Sequence, residues 1–380
     1  MKEYSTIEAS QIILDTIKKE YNDLETLNIM LLGKTGVGKS TLVNSVFNKN
    51  IAKTGVGKPV TSEIRKYEIP DFPLAIFDTP GAELSGDMST ENLLNEVVDK
   101  IHDGLRSDNI KNAIHCIWYC INASANRIEQ AEIDFLNKLT NRIKEYNVPI
   151  IVVLTQSISD KAALALQKEI EKENLPITGI IPVLAIDYEI NDEYVVRKKG
   201  LDDLCEITNN VLPEVIRNTF VAIQSVNLQL KKDKAQRIIA TAVASAAATA
   251  ATPIPLADAT LLVPEQILML AKLTSLFGFK FEKATLMTFL SSTIGTAGAT
   301  LLGRTVVSSL VKLIPGAGSI AGGMFSTATA GTITYALGMT YLKILIMISE
   351  GKMDAKTLST PMGKKIIKDA FEKQLSRRKD

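Results

Sequence analysis

An excess of charge of either sign is missing. Lys and Arg number 43 and Asp and Glu 42, a net charge of +1 over 380 residues. No general basic field marks the chain, so no nucleic-acid partner is expected. Cysteine is scarce as well. Cys116, Cys120 and Cys205 are too few and too irregularly spaced for a disulfide framework or a zinc site. Two of them sit in the apolar run "AIHCIWYCINA", where buried packing is expected and metal binding is the alternative. This usage fits a reducing, intracellular setting. The opening "MKEYSTIEAS" lacks the apolar core of a signal peptide. The last deficit is local. Ile238–Glu350 spans 113 residues with ten charged ones, and is filled mainly by Ala, Gly, Thr, Leu, Ile and Ser. That shift is the strongest domain boundary in the chain.

Before that boundary, strand and helix signals alternate. Ser5 and Glu8 have capping-box spacing, and Ile13, Leu14, Ile17, Tyr21 and Leu24 follow on one helical face. "LNIMLLG" reads as a buried strand and "KSTLVNSVFN" as a helix. "EIRKYEI", "LAIFD", "AIHCIWYCINA", "VPIIVVLTQ" and "GIIPVLAID" read as further strands. Helical spacing links Ala131, Phe135, Leu139, Ile143 and Tyr146; helices are also expected from about Lys161 to Glu173 and after Gly200. Such alternation implies an α/β fold, a parallel sheet with helices on both faces.

The phosphate chemistry lies at the ends of these strands. "GKTGVGKS", Gly33 to Ser40, matches G-x-x-x-x-G-K-[ST] in full, with a strand before it and a helix after it. Its glycines let backbone amides converge on phosphate oxygens, and the helix N-terminus adds a favourable dipole. Lys39 would reach the terminal phosphates and Ser40 would ligate Mg²⁺. Gly33, Lys34, Thr35, Gly36, Val37, Gly38, Lys39, Ser40 and Thr41 make up this candidate phosphate cradle. Nineteen residues on, "AKTGVGKP" repeats six letters, but Ala52 replaces the first glycine and Pro59 the hydroxyl residue. No apolar strand leads into it, so it reads as a glycine-rich loop. "FDTPGAE" ends another apolar strand, with Asp78 placed to hold Mg²⁺ through water and the Gly81 amide to meet a γ-phosphate.

Together these motifs resemble the translation-factor-related P-loop GTPases. "GKTGVGKS" is most similar to their septin, immunity-associated and chloroplast-import-receptor branch. The resemblance implies a P-loop NTPase three-layer sandwich, GTP and GDP as ligands, Mg²⁺, and slow hydrolysis. It implies a switch threonine that ligates Mg²⁺ when GTP is bound. Thr61 in "GKPVTSEI" is the best match, with Thr54 and Ser62 as rivals, and the second "KTGVGK" would belong to the same switch. For the base it implies Thr155, with Gln156 where lysine is usual and Ile158 where the aspartate should be. Asp160 stands two residues late, and a longer loop would bring it to the base. Ala185 in "PVLAID" would offer its amide. Ala82 stands where a water-orienting glutamine is usual, and Gly36 where potassium-activated relatives have asparagine. A partner, a dimer mate or substrate phosphate would then complete the catalytic set of Lys39, Thr61 and Gly81.

The charge-poor region holds three uncharged runs: Ile238–Ala257, Ala284–Gly303 and Leu313–Leu342. A twenty-residue helix is about 30 Å long, one hydrocarbon thickness. Membrane association is expected, and a soluble Ala-rich bundle is the alternative. Pro315 and the glycines from Gly316 to Gly338 are expected to break any single span of the third run. With its "ATPIPLADATLLVPEQ", this all-α apolar region resembles the YcjF-like domain of unknown function found on bacterial GTPases. In the tail, Ile366, Ile367, Ala370, Phe371 and Leu375 share a helical face flanked by basic residues. An interfacial helix on anionic lipid and a helix docked on the protein are both open.

The expected organisation is an N-terminal helix (1–27), a GTPase domain (28–228), a charged linker (229–237), an apolar helical domain (238–350) and a basic tail (351–380). The expected function is a cytoplasmic GTPase at the inner face of a membrane. Its partners would be nucleotide, lipid, and a homodimer mate or activating protein. Three rivals stand beside it: a nucleotide-licensed membrane-inserting effector, a ribosome-assembly GTPase, and a scaffold that binds nucleotide without hydrolysing it.

Overall fold

The computed structural model describes residues 6–51, 64–79, 87–106, 112–125, 127–251, 262–294 and 327–376. They fall into two compact units: Leu24–Asn227, and a second unit made of Met1–Asp23 with Leu228–Asp380. Helix α1 (Thr6–Asn22) thus belongs with the C-terminal region rather than standing as a separate N-terminal element.

The first unit runs β1 (Leu27–Leu32), α2 (Lys39–Phe47), β2 (Arg65–Ile69), β3 (Phe72–Asp78), α3 (Asp87–Arg106), β4 (Cys116–Asn122), α4 (Gln130–Arg142), β5 (Ile150–Thr155), α5 (Asp160–Lys172) and β6 (Gly179–Pro182). A hairpin of β7 (Tyr188–Asn191) and β8 (Tyr194–Val196) follows, then α6 (Leu201–Val211) and α7 (Glu214–Ile223). Six strands form one sheet in the order β2-β3-β1-β4-β5-β6.

Apolar runs make the inner strands. Every residue of β1 and β5 is buried, as a strand covered on both faces requires. One face packs α3, α4 and α5, through Leu94, Val97, Phe135, Leu139 and Leu166 against Met30, Ile117, Tyr119 and Val152. On the other face, Trp118 stacks on Phe47 of α2 and donates its indole N–H to Thr208 of α6 at 3.2 Å. The result is a three-layer α/β sandwich.

The sheet corrects the expected all-parallel arrangement. β2 pairs antiparallel with β3, because Pro70 and Asp71 alone join them and a two-residue connection cannot support a crossover. Asp71 takes a left-handed φ of 58° in that turn.

The second unit is helical. It contains α1, α8 (Leu228–Ala251), α9 (Leu262–Phe277), α10 (Lys283–Ile294), α11 (Thr327–Ser349), a 3₁₀ turn at Ala355–Ser359 and α12 (Pro361–Ser376). The segment 229–237, expected as a charged linker, is helical and lies within α8. Gly331 and Gly338, expected to interrupt the third uncharged run, both lie inside α11. Gly338 has a packing reason: a Cβ there would sit 2.9 Å from side-chain atoms of both Ile239 and Met269. The missing side chain lets α11 approach α8 and α9 closely. The segment 252–261 and the segment 295–326, which complete the uncharged runs, lie outside the described residues.

Among the described residues one helical segment, Gly331–Ser349, is long and apolar enough to cross a membrane; its mean hydropathy is 1.4 and 61% of it is buried within the protein. The tail helix α12 docks on the protein, burying Ile367, Ala370, Phe371 and Leu375 against neighbouring helices of its unit.

Candidate nucleotide-binding site

Between β1 and α2 the chain makes a loop that only glycine allows at three places. Gly33, Gly36 and Gly38 have φ of 133°, 79° and 102°. At Gly33 a Cβ would lie 2.3 Å from the carbonyl oxygen of Cys120, so the loop also runs hard against β4. Gly38 caps α2, whose first turn has no side-chain cap and no acidic residue. Free helix N–H groups and the dipole at that end suit an anion.

Lys39 is buried, at 8% exposure. Its ammonium turns back into the loop and donates to the carbonyls of Gly33 (2.7 Å) and Lys34 (3.1 Å). Burial lowers its pKa, opposed by the nearby Asp78 and then Cys120. Asp78 ends β3 and faces Leu31 across the parallel register. Burial raises its pKa, opposed by Lys39. Among the described residues its Oδ1 is buried without a hydrogen-bond partner, which is costly unless something cationic completes it. Thr79 fixes the strand end by donating both its N–H (3.2 Å) and its hydroxyl (3.0 Å) to the Leu31 carbonyl. Ser40 and Thr41 begin α2 and are half-buried, while Thr35 is exposed.

The β4 and β5 ends support the loop from the side. The Thr155 hydroxyl donates to the carbonyl of Val37 (2.5 Å), with that of Ile121 at 3.0 Å. Gln156 adopts a left-handed φ of 53° and donates its side-chain amide to Gly36 O at 3.1 Å. Residues predicted from separate motifs thereby meet on one loop. Asp160 opens α5, and its carboxylate is engaged by Lys199 at 2.5 Å. Ala185 is half-buried and follows Leu184, which bridges to Lys199 through backbone bonds of 3.0 Å in both directions.

Sequence reasoning missed the support from α4. Lys34 pairs with Glu129 (2.8 Å) and Glu132 (3.5 Å), the two residues of the α4 capping box. The Lys34 hydrogen bond, and then its charge, hold Glu129 below the usual carboxylate range. The Glu-x-x-Glu spacing before an apolar run was the available signal. The three cysteines are buried and form no disulfide; burial pushes Cys120 up to about 12, and Cys116 further. Among the described residues no cluster of three or more His, Cys, Asp or Glu could hold a metal ion. Thr61 and Gly81, with Thr54, Lys58, Ser62, Ala82 and Glu83, lie outside the described residues, as does the whole second "KTGVGK".

Residues 28–156 match the family described as 50S ribosome-binding GTPase, and residues 217–375 match the domain of unknown function DUF697. Magnetosome membrane protein 22 of Magnetospirillum gryphiswaldense is 32% identical over 139 residues, covering 37% of this chain and 69% of that protein. The chain belongs to the P-loop GTPases that carry a DUF697 domain. Human septin-12 is 22% identical to this GTPase over 188 residues, 44% of the chain and 52% of the septin. The GTPase thus spans about half the length of that relative. Among solved structures, Toc33 from Arabidopsis thaliana in complex with Mg²⁺ and GMPPNP aligns with a TM-score of 0.33 and 18% identity, covering 56% of the GTPase and 92% of Toc33.

Proposed function

We propose that this GTPase hydrolyses GTP to GDP and phosphate with Mg²⁺, and that its nucleotide state biases the helical unit at a membrane surface. The reading rests on one observation above all: a buried lysine folded into a glycine loop beside a half-buried carboxylate, one oxygen of which is buried with no hydrogen-bond partner among the described residues. Lys39 donates to the loop's own carbonyls, those of Gly33 and Lys34. On binding it exchanges them for phosphate oxygens, and the loop amides from Gly33 to Gly38 and the α2 N-terminus meet the rest of the charge. Ser40 and Thr41 open α2 beside those oxygens.

The donor set fits a hard cation: the Ser40 and Thr61 hydroxyls would ligate it directly and the Asp78 carboxylate would hold it through a water. Mg²⁺ bound there would neutralise charge on the outer phosphates. Gly81 would offer its amide to the γ-phosphate. Thr155, Gln156 and Ala185 would flank the base. Because Lys199 holds Asp160 and Ala82 offers no water-orienting side chain, weak base selectivity and slow turnover follow.

Membrane coupling draws on the apolar helix Gly331–Ser349 and on the magnetosome membrane relative. A ribosome-linked role is the second reading, favoured by the family description of residues 28–156. Phosphate release from GTP and from ATP, with Mg²⁺ and with a chelator, tests the chemistry. Release from GTP that needs Mg²⁺ is expected, and release unchanged in Lys39→Ala would sink it. Flotation with anionic liposomes against sedimentation with ribosomes separates the two readings.

A further inference from the structure

Both chain crossings between the units are fastened inside the GTPase unit. The first crossing is the stretch 23–26 between α1 and β1, and the second is 224–227 between α7 and α8. Helix α7 holds the first: the buried Thr219 donates its hydroxyl to the Glu25 carbonyl at 2.7 Å. The same helix runs straight into the second. There the Gln224 side chain closes a turn, accepting the N–H groups of Val226 and Asn227 at 2.8 Å and donating to the Asn227 carbonyl at 2.8 Å. Between them Ser225 donates twice to one acceptor. Its N–H (2.9 Å) and its hydroxyl (3.0 Å) both reach the carbonyl of Val46.

Val46 lies in the last turn of α2, the helix that opens with Lys39 and Ser40. The final carbonyls of a helix have no partner within it. Here the crossing supplies one. Phe47, the last residue of α2, meets the Phe220 ring of α7 edge-on, with centroids 6.3 Å apart. Nine residues make α2 about 13 Å long, a short rod. One end forms the floor of the phosphate loop and the other grips the crossing.

We infer that Ser225 is a positioning residue that carries nucleotide state from α2 to the start of α8. This inference rests on the proposed GTPase function and adds its regulation. Phosphate taken up at Lys39 and Ser40 moves α2. The paired bonds at Val46 move Ser225 with it, and the Gln224 turn hands the shift along the chain toward Leu228. A glycine- or serine-rich linker would absorb such a shift. The sequence Gln-Ser-Val-Asn, with Gln224 and Asn227 buried, does not.

Hydrogen–deuterium exchange on the full chain, without nucleotide, with Mg²⁺-GDP and with a slowly hydrolysed Mg²⁺-GTP analogue, tests this. Ser225→Ala removes the hydroxyl bond. Ser225→Pro removes both donors, and the extended backbone of Gln224 (φ −67°, ψ 147°) accepts a following proline. In the unsubstituted protein, exchange over Leu228–Ala235 is expected to differ about fivefold or more between GDP and analogue. The difference should shrink in Ser225→Ala and vanish in Ser225→Pro, with nucleotide protection of Gly33–Thr41 unchanged in both. If Ser225→Pro does not fold, Ser225→Ala decides alone. An undiminished response in either folded variant overturns the inference, as does a silent α8 beside a protected phosphate loop. An unprotected phosphate loop overturns the nucleotide-binding reading itself, and this inference with it.

Discussion

In the GTPase unit the informative buried polar atoms carry charge. Lys39 is buried and Asp78 half-buried, and the loss of water around each holds both away from their ordinary pKa. In the helical unit the buried polar residues are mostly Thr and Ser, and several satisfy their hydroxyls on their own helix, although Thr340 Oγ1 has no hydrogen-bond partner among the described residues. Thr274 and Thr293 each bond back to the carbonyl four residues earlier, Leu270 (2.7 Å) and Phe289 (3.0 Å). A threonine that satisfies itself on its own helix costs little in any apolar surrounding, whether protein or lipid. Low charge in residues 238–350 is therefore compatible with a packed core in water as well as with a bilayer. A buried ammonium beside a carboxylate oxygen without a partner is costly anywhere. The first unit places that cost where phosphate and cation would relieve it; the helical unit's buried ammonium, Lys231, is met instead by the Leu276 carbonyl at 2.8 Å.

Substitutions that hit one unit and spare the other test this contrast. The largest effect is expected from Lys39→Ala. Losing its charge-assisted contacts, about 3 kcal/mol, should weaken nucleotide binding on the order of 100-fold. Calorimetric titration measures it. Lys58→Ala, in the second "KTGVGK", should leave most binding intact in the same titration.

Next is Gly338→Leu. Forcing a side chain between Ile239 and Met269 should destabilise the helical unit by about 2–3 kcal/mol. Trp118 is the only tryptophan and lies in the GTPase unit, so its fluorescence should keep its denaturation midpoint while the far-UV helical signal shifts. Coincident shifts would contradict independent cores.

Acid should act the other way round. Burial holds His115 down to about 4, from an ordinary 6.5, and its Nδ1 accepts the Asn28 N–H at 2.9 Å. The unfolded chain therefore protonates first as pH falls. This part of the stability is complete above about pH 6.5 and is lost toward pH 4, by about 3 kcal/mol. Trp118 fluorescence in urea at several pH values reads it.

The smallest effect is expected from Tyr341→Phe. Its hydroxyl lies 2.6 Å from Thr274 Oγ1, and removing it should cost the helical unit about 1 kcal/mol. The far-UV midpoint should fall and the nucleotide affinity should stay.

The sheet was legible because its inner strands are unbroken apolar runs, from Leu27–Leu32 to Ile150–Thr155. The antiparallel β2 carried a signal too, the Pro-Asp connection at 70–71, but propensity was read there without connection length. The β7–β8 hairpin escaped notice because Tyr188, Ile190 and Tyr194 are exposed and interleaved with acidic and amide residues. The phosphate loop was legible residue by residue, since backbone geometry dictates its glycines. Its braces were not: Lys34–Glu129 and Gln156–Gly36 join residues far apart in sequence, and the Glu-x-x-Glu spacing marks the start of α4 without naming Lys34 as its partner. Nor could the apolar stripe of α1 say which surface it covers.

Helix α1 packs on α9 and α10, whereas the chain between α1 and α8 folds into the other unit. Seen during vectorial synthesis, α1 leaves the ribosome before its packing partners and waits for roughly 240 residues until α9 is made. At about 5–20 residues per second that delay is on the order of 10 to 50 s. The nucleotide-binding unit, continuous in sequence, can be complete by then, while its amphipathic leader still exposes an apolar stripe. A chaperone or a lipid surface has its best opportunity to capture this protein in that interval, before any nucleotide has been turned over.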